Sequence, residues 1–211
     1  MAHAGHPRGP PPTRGRVPLA DADQHVFGLT LTNDWSARDI QAYEYVPLGP
    51  NLGKSFSTTI SPWVTPLAAL AAARVQPPTR DVALSSYLDD ADTAPWSFDI
   101  AIEVVLNGQV VSCPPFDSTY WTAAQMLAHM TVNGAGLRGG DFFAGGTISG
   151  PRKQQRGSFL ELTWGGSEPL TIGDEEFTYL RDGDQVTLRA TATATDGSVL
   201  TMGECTGRIV A

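Results

Sequence analysis

The sequence predicts a β-rich α+β fold, mainly β with few helices, and three observations carry that reading. Phe98, Ile100, Ile102, Val104 and Leu106 alternate with Asp99, Ala101, Glu103 and Val105, the period of a half-buried strand. Asn107-Gly108 follows at once, a pair that type I′ hairpins favour, and Gln109-Val110-Val111 returns. From Ser158 onward the chain reads as strands: FLELTW, then VTLRATATAT, a turn at Asp196-Gly197 and a last strand to Ala211.

Taken in order, the head Met1–Pro18 is rich in Pro, Gly and Arg and has no apolar period. It is expected to be disordered, with residues 19–211 forming one domain. His3 and His6 read as solvated tail histidines. Asp21-Ala22-Asp23 reads as N-cap chemistry before Gln24 and His25. Val26 to Leu31 is an apolar run that fits a buried strand. Between Trp63 and Val75 the run PLAALAAAR predicts a short helix ended by Pro77-Pro78. Arg80 to Pro95 is a polar, acidic connector. Thr119 to Met130 predicts an amphipathic helix with Trp121, Met126 and Met130 on nearby faces, and His129 within it as a core or interface histidine. The glycines between Gly134 and Gly150 predict tight turns and close backbone approach.

Asn33 to Ile60, NDWSARDIQAYEYVPLGPNLGKSFSTTI, concentrates the chemistry. Asp34 and Ser36 offer N-cap groups before a helical turn at Arg38, Asp39, Ile40 and Gln41. On that turn Arg38 and Gln41 are i,i+3 neighbours and point the same way. Pro47, Gly49 and Pro50 stop the helix; Lys54 opens an extended run, and Ser57 to Ile60 fits a strand. These elements can gather Asp34, Arg38, Gln41, Tyr45 and Lys54 around one pocket. Gly53-Lys54-Ser55 is not a phosphate loop, because Gly49 is one residue too close and a strand-like run follows. Taken singly, each charge reads as a solvated ion pair, such as Arg38 with Asp39 or Glu44. The interleaved Trp35, Ile40, Tyr43, Tyr45 and Phe56 argue for partial desolvation, which charges tolerate only with a partner or a task.

Composition narrows the class. A net charge of -8 with no basic stripe argues against a nucleic-acid partner. No run approaches membrane-spanning length, so a soluble protein without a membrane partner is expected. Cys113 and Cys205 are too few for a disulfide scaffold or zinc site and read as core residues or free thiols in a reducing, cytoplasmic compartment.

NDWSARDIQ, EYVPLGP and LGKSF closely resemble the signature of the fumarylacetoacetate hydrolase superfamily, and Trp35 with the EYVPLGP insert points to its fumarylacetoacetase branch. The resemblance continues through Tyr120-Trp121-Thr122, Val132-Asn133-Gly134, GGDFFAGGTISG at Gly139–Gly150, GSFLEL at Gly157–Leu162, Asp182-Gly183-Asp184 and Gly203–Gly207. It implies a rolled mixed β-sheet, a β-diketone acid as substrate, and hydrolysis of a carbon–carbon bond in tyrosine and phenylalanine breakdown. It also implies a homodimer and Mg²⁺ or Ca²⁺ as cofactor. Arg38, Gln41, Lys54 and Glu161 then match catalytic positions. Gln41, Tyr45 and Thr147 match substrate-binding ones, and Asp34, Lys54 and Thr58 border the metal.

Such a reaction needs a base for water, donors for an oxyanion, and a cation or acid to take up the leaving carbanion's charge. Arg38, Gln41 and Lys54 suit the last two tasks. Glu161 matches the acid that orients the family's catalytic histidine; on local pattern alone it reads as an outward-facing strand residue. The chain departs from the family upstream of NDWSARD, where the catalytic histidine, a metal carboxylate and an E-x-E pair are expected and a Pro-rich head stands instead. The sequence is therefore expected to be a C-terminal portion with an incomplete metal site. Two readings follow: a hydrolase of this family, or a non-catalytic domain that keeps a binding pocket or dimer surface.

Overall fold

The computed structural model describes residues 2–5, 15–93 and 96–210. In chain order its strands are β1 (Ala2–Gly5), β2 (Val26–Thr30), β3 (Thr32–Asp34), β4 (Thr58–Ile60), β5 (Thr65–Pro66), β6 (Arg74–Val75) and β7 (Ser97–Phe98). They continue as β8 (Ile100–Leu106), β9 (Gln109–Ser112), β10 (Phe142–Ala144), β11 (Leu170–Ile172), β12 (Glu175–Phe177), β13 (Gln185–Thr193) and β14 (Val199–Arg208). The α-helices are α1 (Ala22–His25), α2 (Arg38–Glu44), α3 (Leu52–Ser55), α4 (Ala123–Thr131) and α5 (Phe159–Leu162).

One four-stranded sheet has the order β10-β1-β2-β5 and another β14-β13-β8-β9; β3-β4, β6-β7 and β11-β12 pair separately. Every pairing among the described residues is antiparallel. The expected α+β class with few helices holds, and its β portion is divided into small sheets. The β8–β9 hairpin turns at Asn107 and Gly108, whose φ values of 50° and 85° are those a type I′ turn requires.

The alternation in β8 feeds two cores. Ile100 and Ile102 join the larger one, with Leu29, Leu70, Phe98 and Leu127. Leu106 joins Trp35, Phe177 and Val186 in a smaller one, against which Val104 packs. Val105 is buried as well, so this end of the strand is covered on both faces where alternation implies one.

Four local expectations are corrected. The backbone of Ala2–Gly5 pairs with β2 and β10, and Val17 is buried with its amide donating to Thr131 Oγ1, so the head is not structureless at those places. The rest of the head, residues 6–14, lies outside the described residues. The short helix of the alanine run is present, but as a 3₁₀ helix over Leu67–Ala73 that ends at β6 rather than at Pro77-Pro78; it buries Leu67, Leu70 and Ala73, whose period of three fits the tighter turn. In α4 the capping box is Thr122 with Gln125, and the buried face is Ala124, Leu127, Ala128 and Thr131 rather than Trp121, Met126 and Met130. FLEL is the helix α5, not a strand, because the Ser158 hydroxyl accepts from the Glu161 amide and caps it.

Candidate functional site

β3 ends at Asp34, and Trp35 then turns inward, its indole N–H donating to Thr59 Oγ1 of β4 at 2.7 Å. The chain enters α2 from Ala37, whose side chain makes no cap bond, so neither Asp34 nor Ser36 caps the helix. Ser36 faces Lys54 instead.

The return to Lys54 is built by α3, a helical turn where the residues read as extended. Glu44, at the end of α2, accepts backbone N–H bonds from Asn51 at 2.7 Å, Leu52 at 3.0 Å and Gly53 at 2.6 Å. The Ala37 amide donates to the Gly53 carbonyl at 2.9 Å. A Cβ at Gly53 would stand 2.8 Å from the Gln41 backbone nitrogen, so only glycine lets α3 lie this close to α2. Partial burial pushes the Glu44 carboxyl up, and the amides of Gly53, Asn51 and Leu52 together outweigh it, holding the group below its ordinary value.

This frame sets Lys54 beside Asp34, Nζ to Oδ2 at 2.6 Å, with a second bond from Nζ to Ser36 Oγ at 2.7 Å. Arg38 donates to Gln41 Oε1 at 2.6 Å, the i,i+3 contact their spacing implies. Asp34, Arg38, Lys54 and Thr147 all line one cleft of about 1080 Å³. Its remaining wall is largely apolar, with Val104, Leu106, Phe159 and Leu188 among the lining residues.

The other proposed residues fall differently. Gln41 is not in the cleft wall and meets it through Arg38. Tyr45 is 55% exposed and Thr58 is an exposed β4 residue paired in register with Asp34; neither lines the cleft. Glu161 sits behind Ser158, a cleft residue, and its Oε2 accepts from Ser158 Oγ at 2.7 Å and Ser149 Oγ at 2.9 Å. No imidazole is bonded to it among the described residues. His129 bonds through Nδ1 to the Tyr87 hydroxyl, and neither His129 nor His25 lines the cleft.

The polar end of the cleft can hold an anion. Two cations stand there on short helical turns beside a largely apolar wall, and each can offer an anion a charge-assisted hydrogen bond. It is less suited to a metal. Among the described residues no three His, Cys, Asp or Glu side chains converge, and Asp34 is already held by Lys54. Hard divalent cations need several oxygen ligands, so these residues alone do not fit Mg²⁺ or Ca²⁺, and no chemical step is drawn through one.

The sequence alone offers Glu44 as an ion-pair partner of Arg38; its partners are instead backbone amides across a turn, which leave no local signature. Sequence reasoning also overlooks Ser36 as a Lys54 partner, and the Ser158-x-x-Glu161 spacing, which is the capping-box signal that flags α5.

Comparison with known proteins identifies the family. Residues 12–210 match the model described as fumarylacetoacetate (FAA) hydrolase C-terminal. The chain is 48% identical over 200 residues to a fumarylacetoacetase of Arabidopsis thaliana, covering 92% of this chain and 47% of that protein. It is 45% identical over 201 residues to the fumarylacetoacetase of Homo sapiens, with the same 92% and 47% covered. The chain thus spans about half the length of the curated relatives it matches. Among solved structures, fumarylacetoacetate hydrolase from Exiguobacterium antarcticum aligns with a TM-score of 0.59 at 18% identity, covering 100% of this chain and 55% of that one. Fumarylpyruvate hydrolase from Pseudomonas aeruginosa, solved in complex with Mn²⁺ and pyruvate, aligns with a TM-score of 0.55 at 18% identity, over 99% and 63%. These two likenesses bear on the fold alone. No helix among the described residues is long and apolar enough to cross a membrane. The chain belongs to the fumarylacetoacetate hydrolase family, and the part of the family it matches is the C-terminal region.

Proposed function

We propose that this chain supplies the substrate-binding groups of a hydrolase that splits fumarylacetoacetate into fumarate and acetoacetate, in tyrosine and phenylalanine breakdown. The observation that carries the reading is the convergence of Asp34, Arg38, Lys54 and Thr147 on one cleft. In this reading Arg38 and Lys54 neutralise charge on the diketone and the leaving carbanion. Gln41 steadies Arg38, and Thr147 donates to a carboxylate or carbonyl oxygen. Glu161 orients the catalytic base. The base itself and the further oxygen ligands for Mg²⁺ or Ca²⁺ come from residues other than the described ones, with Asp34 as this chain's carboxylate. Family resemblance supports a cytoplasmic homodimer.

A second reading, a domain that binds the diketone acid without turning it over, is favoured by one observation. Glu161 is satisfied by two serines, with no imidazole bonded to it among the described residues. A single assay separates the two. The purified chain is followed for loss of diketone absorbance at saturating Mg²⁺, alone and with the upstream part of a relative added in trans. General-base catalysis is worth about a hundredfold to ten-thousandfold, so the chain alone should be slower than a full-length relative by at least that factor. Addition in trans should then raise the rate. Full turnover from the chain alone would contradict the missing base. No response to the added part would leave the binding-domain reading.

A further inference from the structure

We infer that Glu44 is a positioning residue whose carboxylate builds the turn that aims Lys54 into the cleft. The inference rests on the reading of Lys54 as the cleft's functional cation, and it gives a task to Glu44, the first residue of EYVPLGP, to which the sequence reading assigns no role in the site.

The geometry is specific. One carboxylate accepts three consecutive backbone amides, those of Asn51, Leu52 and Gly53, at 2.6 to 3.0 Å. Asn51 is the residue before α3, and its own side chain makes no cap bond. A four-residue helix is too short to hold itself, because fixing the first turn costs more than its few internal bonds return. Glu44 therefore does from across the turn what a local cap does elsewhere, with a charged acceptor. Lys54 is the residue after Gly53, so its backbone direction is set by that grip. Its ammonium then reaches Asp34 and Ser36.

The alternative is that Glu44 only stabilises a surface turn. Lys54 and Lys153 are the two lysines of the chain, and Lys153 pairs with Glu168 and does not line the cleft. That makes an internal reference. The whole chain is pulsed with an amine-acylating reagent, and the ratio of Lys54 to Lys153 modification is read by mass spectrometry. In Glu44→Gln, where an amide NH₂ replaces one acceptor, the ratio should rise roughly tenfold, the loss expected when a charge-assisted bond set is removed. Asp34→Asn provides the ceiling, since it frees Lys54 directly. An unchanged ratio in folded Glu44→Gln would overturn the inference. Should that variant fail to fold, hydrogen exchange in the unmutated chain decides. Amides of Asn51, Leu52 and Gly53 that exchange at free-loop rates overturn the inference, and slow exchange supports it. Neither readout needs substrate, so failure of the hydrolase reading would leave both results interpretable.

Discussion

Lys54 and Asp34 keep 27% and 51% of their side-chain surface in solvent, so their ion pair contributes about 0–1 kcal/mol to stability. An interaction that weak does not account for two short helical turns folded around it; in the proposed reading those turns serve to present a cation to the cleft. Glu44 couples the site's frame to pH. Its folded-state value lies below the ordinary one, so its contribution is fully present above the unfolded glutamate value. That contribution is lost as the pH falls through the lower, folded value. Denaturant titrations across the acid range should show Glu44→Gln losing less stability on acidification than the unmutated chain. Identical acid limbs would mean that the three amide bonds carry no free energy. Of the site residues, the Arg38–Gln41 contact was legible from spacing alone. Tyr45 and Thr58 were not excluded from the cleft by any pattern, because motif adjacency does not fix where a side chain points.

The α2–α3 pair shows how local pattern fails between elements. The apolar and β-branched residues of β2 and β4 identify those strands directly. In α3, glycine and serine carry no helical preference, so the run after Asn51 reads as extended. Its helical state comes from Glu44 and from close packing on Gln41, both tertiary. Gly53→Ala tests the packing. The added Cβ meets backbone atoms of Gln41 at 2.8 and 3.0 Å, which cannot swing aside as a side chain would. Overpacking of this kind costs about 1–3 kcal/mol, and α3 must move away from α2 to relieve it. A lowered midpoint in denaturant, with unchanged slope, is the expected result; wild-type stability would show that the two turns are not in contact in solution. The helix α5 failed for the opposite reason. FLEL alternates like a strand, and its cap signal, Ser158 with Glu161, was outweighed by that period.

At the scale of the molecule, the β8 alternation and its Asn107-Gly108 turn made the central hairpin legible, and the long β13 and β14 followed from their β-branched content. The division into two cores was not legible, since β8 hands its apolar residues to both and only the sheet order decides which. The cleft lies where the smaller core stays partly open: Val104, Leu106, Val186 and Leu188 belong to that core region and line the cleft as well. In the proposed reading its apolar wall meets the carbon skeleton of a diketone acid and its cationic end the charged oxygens. The chain spans about half of its curated relatives, so binding is the property these residues can be asked to show by themselves. The direct measurement is an NMR titration of the isotope-labelled chain with a stable β-diketo acid. Chemical-shift changes should concentrate at Asp34, Arg38, Lys54 and Thr147 and saturate together. Saturable shifts centred elsewhere, or none at these four residues, would contradict the assignment of the cleft.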